Sequence, residues 1–246
     1  MKYNSSNIAF LLIDGYSVLG VTTDLTEDYT AKTEETTPLG AADETHAFTG
    51  LLSSKMSQSG FFDDAAGSSN AALVAGNGAS RVVCYGVEGN TIGKNFVGFA
   101  GALQTTYKRG LKVGDLHKAS ADYVGSGAKN EGKILHAHGA ETAAGNTHAT
   151  SVDNAASSAT GAVGYLEVSA LTLGGYTNAI VTLQDSADNI TFADISGGAF
   201  TAITAAPAAQ RLVIAGTIRR YTFIRWAYTG AGTGQSITFM AGIVRT

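Results

Sequence analysis

The sequence predicts a mainly β protein. Residues 1–155 read as a β-sandwich domain with one short helix, and residues 156–246 as an immunoglobulin-like β-sandwich region. Three observations carry this. Short stretches alternating between apolar and polar residues recur along the chain, the period-two pattern of half-buried strands. Glycine is abundant, at 31 residues against two prolines, which is the composition of tight turns and bulges between strands. The tract "SVDNAASSATGAVG" has the composition of a linker, and every segment after it reads as a strand. Charged residues are only 15% of the 246 positions, against roughly a quarter in an ordinary soluble domain, so much of the outside is expected to be buried against neighbours.

In "MKYNSSNIAFLLIDGYSVLG" a first strand turns at Asp14-Gly15. It is not read as a signal peptide, because Asp14 interrupts the apolar run and no small-residue cleavage pattern follows cleanly. No stretch approaches the roughly 20 apolar residues of a membrane helix, so a soluble protein made in the cytoplasm, without membrane insertion, is expected. Residues 24–44, "DLTEDYTAKTEETTPLGAADE", are acidic with Lys32 the only opposing charge. They show neither strand alternation nor a helical stripe and read as a long loop or arm. The helix falls on "SNAALVAGNG", with Ser69 or Asn70 as N-cap and Gly76 as the stop. "SRVVCYGVEGN" and "NFVGFAGALQTTYKRG" are strands around a turn from Glu88 to Lys94. "GDLHKASADYVGSG" is a strand pair or a strand with a bulge, and "KILHAH" is a further strand. Beyond the linker, "GYLEVSALTLGG", "NAIVTLQD", "ITFADI", "QRLVIAGTI", "YTFIRWAYTG" and "QSITFMAGIVR" are strands, and Ser186 to Asn189 turn a hairpin between the second and third.

The residues that carry chemistry are sparse. Cys84 stands alone in "RVVCYGV", so no intrachain disulfide exists and a buried thiol is expected. His136 and His138 are two apart on a strand, with Glu141 and His148 within reach, which are residue types of a zinc or nickel site. The spacing of a helical H-E-x-x-H motif and any cysteine partner are missing, so no metal is assigned. Asp185, Asp188 and Asn189 offer oxygens for calcium, but such a loop needs six or more, and turn chemistry accounts for them. There is no G-x-S-x-G; Ser126 in "GSG" has no elbow around it; "GVEGNTIGKN" fails as a phosphate loop because Asn95 follows Lys94. No catalytic residue, cofactor or enzymatic activity is assigned. Tyr221, Phe223, Trp226 and Tyr228 are candidates for a sugar-binding face, although core or subunit interface is the default for such a strand. Lys108, Arg109, Lys112 and Lys118 form one basic cluster. With a net charge of -4 and no interleaved aromatics, a nucleic-acid grip is not expected.

Charge is asymmetric along the chain. No acidic residue follows Asp194, while Arg211, Arg219, Arg220, Arg225 and Arg245 do. Inter-subunit contacts are therefore expected between Asp24, Glu27, Asp28, Glu34 and Glu35 of the acidic arm and Arg219, Arg220 and Arg225 of the C-terminal region. The same arginines have the alternative of pairing inside one chain.

The phrases "TYKRGLKVGDLHKASADYVGSGAKNEGKILH", "SVDNAASSATGAVGYLEVSALT", "VTLQDSADNITFADI" and "RLVIAGTIRRYTFIRWAYTGAGTGQSITFMAGIVR" together resemble the major tail proteins of long-tailed bacteriophages, over roughly residues 45 to 246. That resemblance implies a virion protein, a tail-tube subunit. Copies would join into rings, usually hexameric, with a β-barrel inner wall, and rings would stack into a hollow tube that DNA traverses without specific binding. Tape measure and tail terminator proteins would be further partners. A trimeric pseudo-hexamer built from two diverged copies of one fold is a minor alternative, and no internal repeat supports it. Rival classes are a capsid decoration or receptor-binding β protein and a secreted carbohydrate-binding module or metal-dependent hydrolase.

Overall fold

The computed structural model describes residues 8–246 except 38, 40, 41, 45, 66, 67, 75 and 126–128. Its elements are β1 (Leu11–Ile13), β2 (Tyr16–Ser17), β3 (Thr22–Glu35), β4 (His46–Phe61), α1 (Ser69–Val74), β5 (Ser80–Gly86), β6 (Asn95–Gly110), β7 (Lys118–Gly125), β8 (Lys129–Glu141), β9 (Gly145–Asn146), β10 (Val152–Asp153), β11 (Ala162–Thr172), β12 (Asn178–Ser186), β13 (Ala193–Ala199), β14 (Ala208–Ile214), β15 (Tyr221–Thr229) and β16 (Ser236–Arg245). The protein is therefore mainly β, as its alternation predicts.

Eleven strands form one antiparallel sheet in the order β14-β11-β16-β8-β6-β5-β1-β2, with β7, β4 and β3 branching from β6. The branch arises because β6 outlasts its neighbours. Asn95–Phe99 pair with β8, while Ala102–Gly110 pair with β7. A second sheet of five strands has the order β10-β15-β12-β13, with β9 on β15. The boundary expected at residue 155 falls within the large sheet, where β8 before it and β16 after it are bonded neighbours.

Period-two alternation divides the interior into three cores. On β11, Val163 and Tyr165 point one way, while Ala162, Leu166 and Val168 point the other. The first set joins Phe10, Leu12, Cys84, Phe96, Ile134, Met240 and Val244, drawn from around β1, β5, β6, β8 and β16, so these strands curl around a shared interior. Phe96 and Tyr165 fill it edge to face at 5.7 Å between centroids. Two glycines make the room: a Cβ on Gly242 would lie 2.4 Å from the Phe96 ring, and one on Gly98 would lie 2.8 Å from the Tyr165 ring. The curl closes where the Asp14-Gly15 turn reaches β11. There the Gly15 amide donates to Glu167 Oε2 at 2.5 Å, at a φ of +84° that favours glycine.

The other face of β11 and β16 packs on the small sheet through Leu166, Val168, Phe239 and Ile243 against Val181, Leu183, Ile224 and Trp226. The C-terminal strands thus divide between two sheets, as a sandwich requires. The third core gathers Leu11, Ile13, Met56, Val83, Phe99 and Tyr123 under Ala72 and Leu73 of α1. The helix ends before Gly76 as expected, but it already begins at Ser69, so neither Ser69 nor Asn70 is its N-cap. The Ser69 hydroxyl donates to the Phe61 carbonyl instead, and the Arg81 guanidinium donates to the Ala72 carbonyl near the helix end.

Residues 24–44 require a correction. The segment lacks strand alternation, yet Thr22–Glu35 is a fourteen-residue strand whose ladder with β4 runs from Thr22↔Gly60 to Glu35↔His46. Alternation is absent because only the start of the strand is packed: Leu25 and Glu27 are half-buried, and the last eight residues of β3 are all exposed. Backbone pairing and five threonines sustain the strand instead.

Candidate assembly surfaces

The β3–β4 hairpin leaves the sheet partway along its length. Lys55–Phe61 of β4 pair with β7 as well as β3, whereas the earlier part of β4 pairs with β3 alone among the described residues. The outer part is a two-stranded arm of about eight residues a strand, about 25 Å at the usual rise. Directly opposed residues share a face, so Leu25, Glu27, Tyr29 and Ala31 lie with Gln58, Met56, Ser54 and Leu52. Near the body this face is covered: Met56 is buried, and Glu27 accepts a hydrogen bond from Tyr85. Farther out it continues uncovered, with Tyr29 50% and Leu52 56% exposed. Asp28, Glu34 and Glu35 are exposed along the arm, and Lys32 pairs with Glu34 at 3.1 Å. Asp24 lies at its base, 3.5 Å from the Thr26 hydroxyl that donates to it.

The opposite end of the same strands carries a different surface. Phe61 pairs with Lys118, and the Phe62 amide donates to the His117 carbonyl at 2.9 Å, so the end of β4 abuts the tip of the β6–β7 hairpin. Residues 108–118 of that tip are all exposed. They include Leu111 at 71%, Val113 at 102% and Leu116 at 70%. Lys108, Arg109, Lys112 and Lys118 surround them; Arg109 lies over the Phe62 and Tyr107 rings at 5.5 and 5.4 Å, and Lys112 pairs with Asp115 at 3.2 Å. Asp63 and Asp64 at the base are engaged locally, by the Ala65 amide and the Asn70 side chain. Sequence reading registered the cations but missed the apolar residues among them. The signal was the presence of Leu111, Val113 and Leu116 among the charged and glycine residues of a segment too short to be a strand of its own.

The three arginines expected at subunit contacts are held inside the chain. Arg219 grips Asp185 through Nε at 2.7 Å, Nη2 at 2.6 Å and its own amide at 2.8 Å. Arg220 makes a bidentate pair with Asp153 at 2.7 and 2.6 Å, which draws that carboxyl down to about 2. Arg225 meets Asp194 at 3.0 Å. None of the three is brought to Asp24, Glu27, Asp28, Glu34 or Glu35 within the chain; Arg219 and Arg225 fasten parts of the C-terminal region together, and Arg220 ties that region to β10.

His136, His138 and His148 each belong to a different hydrogen-bond network. His136 Nε2 donates to the Glu141 carboxylate at 3.1 Å and the ring stacks on Phe239 at 3.9 Å, and burial lowers its pKa. His138 lies 2.9 Å from Ser169 Oγ, a Ser–His pair the sequence spacing did not announce, and burial lowers its pKa too. The Ser169 hydroxyl donates to the Thr238 carbonyl, so the pair pins neighbouring strands. His148 bonds Gln184 at 2.7 Å and stacks on Phe192. Among the described residues no group of three or more His, Cys, Asp or Glu side chains is arranged to hold a metal ion. The hairpin turn is closed by its own chemistry. Asp188 accepts from the Ile190 and Thr191 amides and from the Ser186 and Thr191 hydroxyls, and those donors hold its carboxyl well below the usual range. Asp185 faces Arg219 instead of the turn.

The aromatic strand is core. Phe223 is fully buried, Trp226 is 6% exposed with its indole donating to the Ala143 carbonyl, and Tyr221 and Tyr228 are half-buried. Cys84 is buried, and desolvation raises its thiol pKa. In the "GVEGNTIGKN" turn the Glu88 carboxylate takes the Asn95 amide, so the loop presents an anion where a phosphate would sit. Ser126 lies outside the described residues. No helix among the described residues is long and apolar enough to cross a membrane.

No family model matches the chain, and no curated protein matches it. Among solved structures it is similar to a chain from the virion of a native gene transfer agent particle, at 15% identity and TM-score 0.41 over 53% of this chain and 98% of that one. A chain from the tail of an empty gene transfer agent particle, refined with C6 symmetry, gives 15% identity and TM-score 0.40 over 52% and 97%. The SPP1 Dit protein, described as a hub adsorption apparatus of phages infecting Gram-positive bacteria, gives 11% identity and TM-score 0.36 over 95% and 98%. Likenesses this distant carry no function to this chain.

Proposed function

We propose that this chain is a structural virion protein of a bacteriophage-type tail, whose copies polymerise into stacked rings forming a tube for DNA. The observation that carries the reading is the pair of unlike sheet edges. β3 is an edge strand of fourteen residues bonded to β4, and β14 is the opposite edge, bonded to β11, with Val213 66% exposed. Long edges are templates for pairing, and carboxylates along β3 guard it against unregulated pairing. Two different edges on one chain are what a heterologous, ring-closing contact needs. The rolled interior is filled by Phe96 and Tyr165, so any channel lies between copies and not within one. The resemblance of the C-terminal phrases to major tail proteins supports the same reading. Passage of DNA fits the net charge of -4, which repels phosphate.

Negative-stain electron microscopy of the purified protein at low and high concentration, beside size-exclusion chromatography, tests it. Hollow tubes or stacked rings with a regular axial repeat are expected. Stable monomers or closed trimers at every concentration would overturn the tube and favour decoration or receptor binding.

A further inference from the structure

We propose that the basic, apolar tip at residues 108–118 is a docking surface for the acidic β3–β4 arm of a second copy of this chain. The inference rests on the tube reading for its geometry and names the contact that would join one ring to the next.

The two surfaces lie at opposite ends of one strand. β4 begins at His46 beside the arm's outer end and finishes at Phe61 against the tip, and its sixteen residues span about 50 Å. The arm of one chain therefore cannot reach its own tip. Their chemistries match. The tip carries four cations against the carboxylate of Asp115, while residues 24–44 carry seven carboxylates against Lys32. Both are also apolar: Leu111, Val113 and Leu116 at the tip face solvent, as do Tyr29, Leu39 and Leu52 on the arm. Charge sets orientation and encounter, and apolar contact supplies the affinity that exposed ion pairs lack.

The arrangement also explains a directional polymer. An acidic end and a basic end on the same sheet make head-to-tail contact favourable and head-to-head contact repulsive. Arg219, Arg220 and Arg225 of the C-terminal region are already engaged by Asp185, Asp153 and Asp194, which favours the tip cations as the arm's partner.

Carbodiimide cross-linking with mass spectrometry tests the contact on the full chain. Equal amounts of isotopically light and heavy protein are mixed before assembly, so that links between copies are identified. Mixed links joining Lys108, Lys112 or Lys118 to Asp28, Glu34 or Glu35 are expected in the assembled fraction. The K108E/R109E/K118E variant should lose long tubes at least tenfold by particle count while keeping its circular dichroism, and adding D28K/E34K/E35K to it should restore them. Tubes without these links, or tubes of full length from the tip variant, would overturn the docking surface and leave the tube reading standing. Closed oligomers that carry the links would do the reverse. Monomers at every concentration would overturn both.

Discussion

The rolled body and the two hairpin ends belong to one sheet, yet they are held in different ways. In the body β1, β5, β6, β11 and β16 give alternate side chains to different cores, and Phe96, Tyr165 and Met240 are fully buried. At the ends, residues 29–35 and 108–118 are exposed throughout and give no side chain to a buried core. Charges follow the same division. Arg219, Arg220 and Arg225 are tied to aspartates of their own chain, whereas Lys112 is the one tip cation in an ion pair among the described residues. The lesson is that the body specifies the fold and leaves the ends available for contact between copies.

The strongest way to break this comparison is to empty the interior. Phe96→Ala removes a ring that packs on Tyr165 and Gly242, and should cost about 3–5 kcal/mol in urea unfolding. A loss below about 1 kcal/mol would mean that the rolled interior does not dominate stability. Next in size is Asp185→Ala, which strands Arg219. A fully buried pair would lose about 3–5 kcal/mol, and because the Arg219 side chain is 34% exposed, about 2 kcal/mol is expected. An unchanged midpoint would show that the pair is not a structural tie.

Glu167 gives a subtler probe. Burial raises its pKa well above the ordinary 4.5, with Asp14 adding to the rise while the Gly15 amide, Cys84 and Arg81 oppose it. The native state therefore keeps a proton that the unfolded chain releases above about pH 4.5. This contribution is fully present below that value and is lost as pH rises toward the native pKa, at up to about 1.4 kcal/mol per pH unit. Glu167→Gln keeps an acceptor for the Gly15 amide and should flatten this fall as pH rises above about 4.5. A parallel pH profile for the two proteins would place the proton elsewhere. The smallest effect on folding is expected at the arm: E34K/E35K should change stability by under about 0.5 kcal/mol while abolishing tubes. A large loss of stability there would erase the distinction between body and ends.

Much of the body was legible in the sequence. The Asp14-Gly15 turn, the helix from Ser69, the turn from Ser186 to Asn189 and the strands around Cys84 and Trp226 each follow from local chemistry. The arm was not legible, since a strand exposed on both faces has no reason to alternate. The Ser169–His138 and Arg219–Asp185 pairs were hidden for a different reason. Their partners are 31 and 34 residues apart, and ladder register alone decides which side chains meet.

By itself the sequence determined the β class and the places of several turns, because those depend on residue type and spacing along a few positions. Only the tertiary structure decided that one sheet draws strands from both sides of residue 155, that Arg219, Arg220 and Arg225 face aspartates of their own chain, and that acidic and basic hairpins stand at opposite ends of β4. Those facts depend on pairings between distant strands, where hydrogen bonds are alike for every residue and only the packing of all three cores together selects the register.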